Sequence, residues 1–163
     1  MNVGVSRFVD DGTQMVDFLR DYIVVCPACG GAASVVAKKG EPFILFAPRR
    51  IACGGCGLSK EWAAGSLSYP SPEQGIDWYF RLRYFFQRRC AGHQLWVANR
   101  EHLNFLRAYV AAKHRSHRRD ARGWNNRSFA SRIPKWLAEA KNRAVILSTL
   151  DDLEKDMEKV TRR

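Results

Sequence analysis

Two cysteine pairs carry the most specific chemistry in this chain: Cys26-Pro27-Ala28-Cys29 followed by Gly30, and Cys53-Gly54-Gly55-Cys56 followed by Gly57. A Cys-x2-Cys turn delivers two thiolates to about 2.3 Å from one Zn²⁺, and two such turns close a tetrahedral shell that leaves no position for substrate. The pattern predicts one structural zinc held by Cys26, Cys29, Cys53 and Cys56. The glycine after each second cysteine suits a backbone that must take up positive φ, and Pro27 pre-sets the first turn. A redox dithiol or two disulfides are the competing uses of such thiols. Two matched pairs with 23 residues between them favour metal, and thioredoxin-like chemistry needs a βαβ pattern that the sequence lacks. Zinc with four thiolates carries a net charge of about −2, which Arg49, Arg50 and Lys60 would relieve if they are not simply a solvated strand end.

Cys90-x2-His93 has the spacing of another half-site, but a closed second shell needs two more ligands and only His102, His114 and His117 remain. Cys90 reads better as a small buried hydrophobe, His93 as a turn residue and His102 as a helix-start residue. His114 and His117 fall three apart on an expected helix end, where surrounding arginines repel a cation and draw the pair into a basic face. No catalytic residue is assigned. The basic part of the chain offers only Glu101, Asp120 and Glu139, too few carboxylates for a metal-dependent nuclease. No phosphate-cradling glycine loop or nucleophile motif occurs. A histidine nuclease using His114 and His117 is the enzyme reading that is left.

Charge is the second signal. The 163 residues carry 27 Lys/Arg against 16 Asp/Glu, a net +11. Residues 80–143 hold 16 basic against 3 acidic side chains, while residues 1–79 hold 7 against 8 and residues 144–163 hold 4 against 5. Charge kept for solubility is normally mixed in sign; a one-sign excess favours a polyanion. Nucleic acid, DNA or RNA, is the expected partner. Lys113, Arg115, Arg118, Arg119, Arg122 and Arg127, with Arg88 and Arg89, are the candidate phosphate contacts, and Trp124 and Phe129 the candidate surfaces for unpaired bases. Arg81 and Arg83 would extend the basic surface if they share one face of a strand.

The elements that position these residues follow from pattern. Tyr22–Val25, Ala32–Ala37, Phe43–Phe46 and Arg50–Ala52 are short apolar runs bounded by Gly and Pro, as an antiparallel meander requires, with a turn at Lys38–Glu41. Residues 65–75 have turn composition and mark a boundary between an N-terminal segment with its ribbon (1–64) and the remainder (65–163), unless the two form one compact unit. Two strands within 76–98 meet near Gly92. Asn99 caps a helix reaching about residue 117, with Leu103, Leu106, Tyr109 and Val110 on its apolar stripe. An exposed loop follows, then a short helix opening at Ser131 and Pro134 through Trp136 and Leu137, then a final amphipathic helix over residues 143–160.

The four-cysteine pattern resembles the zinc ribbon of the transcription-factor-IIB type. The whole chain is similar, more loosely, to small uncharacterised bacterial zinc-ribbon proteins in which a Cys-Gly-His-x-Leu-Trp-like stretch, here Cys90 to Trp96, and a helix follow the ribbon. The resemblance implies a ribbon and a metal and leaves activity open. The expectation is therefore an α+β protein: a four-cysteine zinc ribbon continuous with a small antiparallel sheet, followed by about three helices, binding nucleic acid without catalysis. The alternative is an adaptor docking on a larger polymerase-like or defence complex. No run approaches the ~18 apolar residues of a membrane span and no signal-peptide pattern opens the chain, so a reducing cytoplasm is expected, with neither membrane nor small-molecule partner.

Overall fold

The computed structural model describes residues 7–63, 65, 67–116, 119–120, 123–124 and 126–161; of 119–120 and 123–124 it describes the backbone. In chain order the strands and helices are β1 (Arg7–Val9), β2 (Asp21–Val25), β3 (Ala32–Ala37), β4 (Arg49–Ala52), β5 (Ser59–Trp62), β6 (Phe86–Cys90), β7 (His93–Val97), α1 (Arg100–Ala111), β8 (His114–Ser116), β9 (Arg119–Asp120), β10 (Gly123–Trp124), α2 (Lys135–Ala138) and α3 (Arg143–Thr161). Strands β2 to β5 form an antiparallel sheet in sequence order, and β6 and β7 form a separate hairpin. No helix among the described residues is long and apolar enough to cross a membrane.

The four-stranded sheet buries one face, as its alternation requires. Tyr22 pairs with Val35 and Val35 with Ile51, while Val24 pairs with Ala33, so the apolar residues line up across three strands. The segment 76–84 covers that face. It is organised by Asp77, fully buried, whose carboxylate accepts from the Tyr22 hydroxyl at 3.1 Å and from the amides of Tyr79, Phe80 and Leu82 at 2.9, 2.9 and 2.6 Å. Those bonds bend the chain through Arg81, which sits at φ 60. Arg81 and Arg83 therefore lie in an irregular covering segment and not on one face of a strand.

The second layer is helical. Ile146, Leu150, Leu153 and Met157 of α3 and Leu103, Leu106 and Val110 of α1 bury their stripes against each other and the β6–β7 hairpin. The hairpin closes through Ala91 and Gly92, both at positive φ as a tight two-residue turn demands. Asn99 caps α1 by accepting from the His102 amide at 2.9 Å, and its own amide donates to the carbonyls of Phe18 and Asp21 at 2.7 and 2.8 Å. One side chain thus starts the helix and fastens it to the sheet.

Two expected elements differ. Phe43–Phe46 is no strand: Ile44–Phe46 is a 3-10 turn, because the carbonyls of Ile44 and Ala47 are taken by the Arg49 guanidinium at 2.9 and 2.7 Å and that of Leu45 by the Tyr79 hydroxyl at 2.9 Å. The fourth strand is instead β5, the exposed edge after the second cysteine pair. Helix α1 ends at Ala111, six residues before the expected end, because the chain turns extended at Ala112 and His114–Ser116 pairs in parallel with Arg7–Val9.

Arg49 is 1% exposed, donates also to the Leu19 carbonyl, and lies 3.5 Å over the Tyr79 ring. Replacing it by leucine strands the buried carbonyls of Leu19 and Ala47, and Arg49→Leu is expected to lower unfolding stability by about 2–4 kcal/mol. Urea unfolding followed by circular dichroism checks this; a loss under about 0.5 kcal/mol, the range of ordinary surface changes, contradicts the account.

Candidate metal centre and basic surface

Each cysteine pair forms the same turn. The Cys26 amide donates to Gly31 O at 2.7 Å and the Gly30 amide to Cys26 O at 2.9 Å; in the second pair Cys53 donates to Leu58 O and Gly57 to Cys53 O, both at 2.9 Å. Gly30 and Gly57 sit at φ 73 and 76, where a side chain would be strained. β2 and β3 carry the first turn and β4 and β5 the second, so the antiparallel register brings both to one end of the sheet.

The four sulfurs lie within 4.8 Å of one another, with Cys26 to Cys56 at 3.7 Å and Cys29 to Cys53 at 3.6 Å. Tetrahedral geometry with metal–sulfur bonds of about 2.3 Å requires edges of about 3.8 Å, so the donor set fits one metal ion. Amides reinforce it. Burial raises the Cys26 thiol, but the amides of Cys29 and Ala28 outweigh that and bring it below the ordinary thiol value. The Leu58 amide lowers Cys56, yet burial and the other three sulfurs leave it raised. The thiols share their protons unequally, and a bound cation would replace them.

Two of the charged neighbours expected around this centre have other partners. Arg49 points into the protein as described, and Arg50 donates to the Ser59 hydroxyl at 3.1 Å. Cys90 and His93 pair across the hairpin, but Cys90 is buried and accepts from Thr149 at 3.4 Å, while His93 stacks on Trp136 at 4.6 Å. Neither belongs to a group of three or more side chains that could hold a metal ion. Among the described residues the four cysteines form the one such group.

The basic residues divide into two sets. Arg88 pairs with Asp156 at 2.6 Å, Arg100 with Glu154 at 2.6 Å, and Arg107 with Asp151 and Glu154 at 2.9 and 2.8 Å, all carboxylates of α3. Arg115 donates to the carbonyls of Tyr109, Val110 and Ala138 and lies 4.5 Å from the Tyr109 ring; Arg143 donates to Val110 and Ala112. These two guanidinium groups satisfy the open carbonyl end of α1, so Arg115 is structural. Arg89 and Lys113 are exposed, as is Arg127. Arg118, Arg122 and His117 lie outside the described residues. Arg119 and Trp124 stand opposite each other in the backbone register of β9 and β10, so part of the expected loop is an antiparallel ribbon. Phe129 is no free stacking surface: it packs edge-on against Phe18 and His102 and beside Phe105.

No family model matches the sequence, and none of the curated proteins or solved structures compared with it matches either.

His102 departs furthest from its expectation. It does begin α1, but it is 1% exposed and sits among Phe18, Trp96 and Phe129, with Nδ1 accepting from the Ala98 amide at 3.1 Å. Burial drives its pKa from 6.5 to about 3. The unfolded chain takes up a proton near pH 6.5 and the folded chain only near pH 3, so this residue's contribution is complete above pH 6.5 and is lost as the pH falls through that window. Urea unfolding from about pH 7 to pH 4.5 should show stability falling by up to about 1.4 kcal/mol per pH unit more steeply than in His102→Phe. Equal slopes in both proteins would remove the proton from the account.

Proposed function

We propose that this chain is a non-catalytic zinc-ribbon protein that binds nucleic acid through residues 113–127. The metal half rests on the sulfur geometry: four thiolates in a closed tetrahedron suit zinc, need no open position and stabilise the fold outright. One zinc per chain is expected. Elemental analysis should find it lost or greatly reduced in Cys29→Ser and Cys56→Ser and retained in Cys90→Ser, and a chelator should melt the ribbon in the unmodified protein. A full complement of zinc in Cys29→Ser overturns this half.

The observation that carries the nucleic-acid half is the charge of one short segment. Residues 113–127 hold six basic side chains, of which Arg115 closes the end of α1, against Asp120 alone, whereas Arg88, Arg100 and Arg107 meet carboxylates of α3. A paired basic ribbon is an element that can follow a phosphate backbone or lie along a groove. Exposed Arg89 and Lys113 add to the same charge. If phosphate contacts dominate, Arg118→Ala, Arg119→Ala and Arg122→Ala combined should weaken binding to every sequence. The slope of log K against log salt should flatten by roughly 0.7–0.9 per contact. Trp124→Ala should instead weaken single-strand binding by about 1–3 kcal/mol with little change for duplex, the signature of a stacked base. Electrophoretic shift series with matched DNA and RNA, single and double stranded, check both; unchanged affinity and slope in the triple variant defeat the reading.

The second reading, an adaptor for a larger assembly, is favoured by Phe43 and Phe46, 73% and 62% exposed on the loop between β3 and β4. Large apolar side chains at a loop tip are the usual anchors of protein contacts. A stoichiometric protein companion that survives nuclease treatment and is lost in Phe43→Ala supports it.

A further inference from the structure

The stretches 14–16, 69–78, 94–106 and 127–137 enclose a cavity of about 560 Å³. That is within the size range of small-molecule sites. Three tryptophans line it, Trp78, Trp96 and Trp136, over a floor that includes Leu95 and Leu106. The tryptophans are held in position by the fold itself. Trp96 stacks on Tyr84 at 4.4 Å and 3°, and its indole N–H donates to the Pro72 carbonyl at 2.5 Å. Trp136 stacks on His93, and Trp78 meets Tyr69 edge-on at 5.0 Å. Gly75 is fitted to this wall: a Cβ there would come within 3.2 Å of the Trp96 ring.

His102 is also part of the wall. Its Nδ1 accepts a hydrogen bond, which assigns the ring hydrogen to Nε2. That Nε2–H has no partner among the described residues although the ring is buried. A buried donor without an acceptor is destabilising, and a ligand atom that accepts from it recovers that loss. Where the cavity meets solvent, exposed Arg132 and Arg127 outnumber Glu73 in its lining.

We propose that this cavity binds a flat aromatic anion. Its ring lies among Trp78, Trp96 and Trp136, an acceptor atom on the ring takes the hydrogen of His102 Nε2, and its acidic group rests at the mouth beside Arg132. This chemistry is shared by 5′-mononucleotides and by fused-ring aromatic acids. Arg127 is common to this cavity and to the segment 113–127, but the test uses small ligands and substitutions at Arg132 and His102, so its failure and that of the nucleic-acid reading are distinguishable.

Tryptophan fluorescence and calorimetry on the full zinc-loaded chain, with the four 5′-mononucleotides in one arm and quinoline-2-carboxylate in the other, identify the source. Saturable one-to-one binding with Kd of about 1 mM or tighter is expected in at least one arm. Binding in the nucleotide arm alone assigns a nucleotide, and in the other arm alone a non-nucleotide acid. Quinoline-2-carboxamide, which lacks the charge, should bind more weakly than the acid, and Arg132→Gln should narrow that gap several-fold. His102→Phe should weaken the bound anion about tenfold, the worth of one hydrogen bond to a buried donor. Should that variant not fold, the unmodified protein still decides. With ¹⁵N-labelled histidine, the His102 Nε2 resonance should move on titration in step with the calorimetric saturation. An absence of saturable binding in both arms, or binding that leaves the His102 resonance in place, overturns the proposal.

Discussion

The buried carboxylate of Asp77 is the constraint on which most of the architecture rests. A charge taken fully out of water persists only where donors replace the water it lost, and here a tyrosine hydroxyl and three backbone amides do so. Meeting that requirement folds residues 76–84 back over the sheet, which supplies the cover that a four-stranded ribbon with one apolar face needs. The same fold-back aims Trp78 and Tyr79 to opposite duties. Tyr79 seals Arg49 beneath it, and Trp78 becomes wall to the cavity. The two cysteine turns meet at the distal end of the sheet, while this node fastens its face.

The cysteines were legible because their chemistry is local: spacing, trailing glycines and hairpin connectivity sit in two short windows. Helix α3 and the capped start of α1 were legible for the same reason, each written in a run of apolar residues with the right period. What escaped reading depends on distant partners. Phe43–Phe46 has strand composition, yet Arg49 and Tyr79 claim its carbonyls. The sequence through residue 117 continues a helical composition, yet β1 recruits His114–Ser116 as a parallel strand. Arg49 looks like a surface cation and is among the most buried side chains in the molecule. The cavity leaves no trace in any window, since its walls come from five separate stretches of chain.

Charge shows the same lesson in another form. Summed along the sequence, residues 80–143 are overwhelmingly basic; summed in space, α3 returns carboxylates to Arg88, Arg100 and Arg107, and two further arginines close the end of α1. Exposed ion pairs of this kind add little stability each, but they redistribute the field. Exposed Arg89 and Lys113 stand outside this internal pairing.

The pairing of β1 with β8 bears on how the chain acquires its shape during synthesis. Ser116 reaches the Phe8 carbonyl across 108 positions, and Ser128 reaches Asp10 across 118. Strand β1 must therefore wait until the chain 108 positions further on has been made before β8 can pair with it, whereas the four-stranded sheet, whose strands lie between Asp21 and Trp62, is complete long before. Contacts of such sequence separation form late because the entropy of closing the intervening loop is borne before they give any return. The four-stranded sheet can thus be finished while β1 still lacks β8, and the β1–β8 pair is among the later contacts to set.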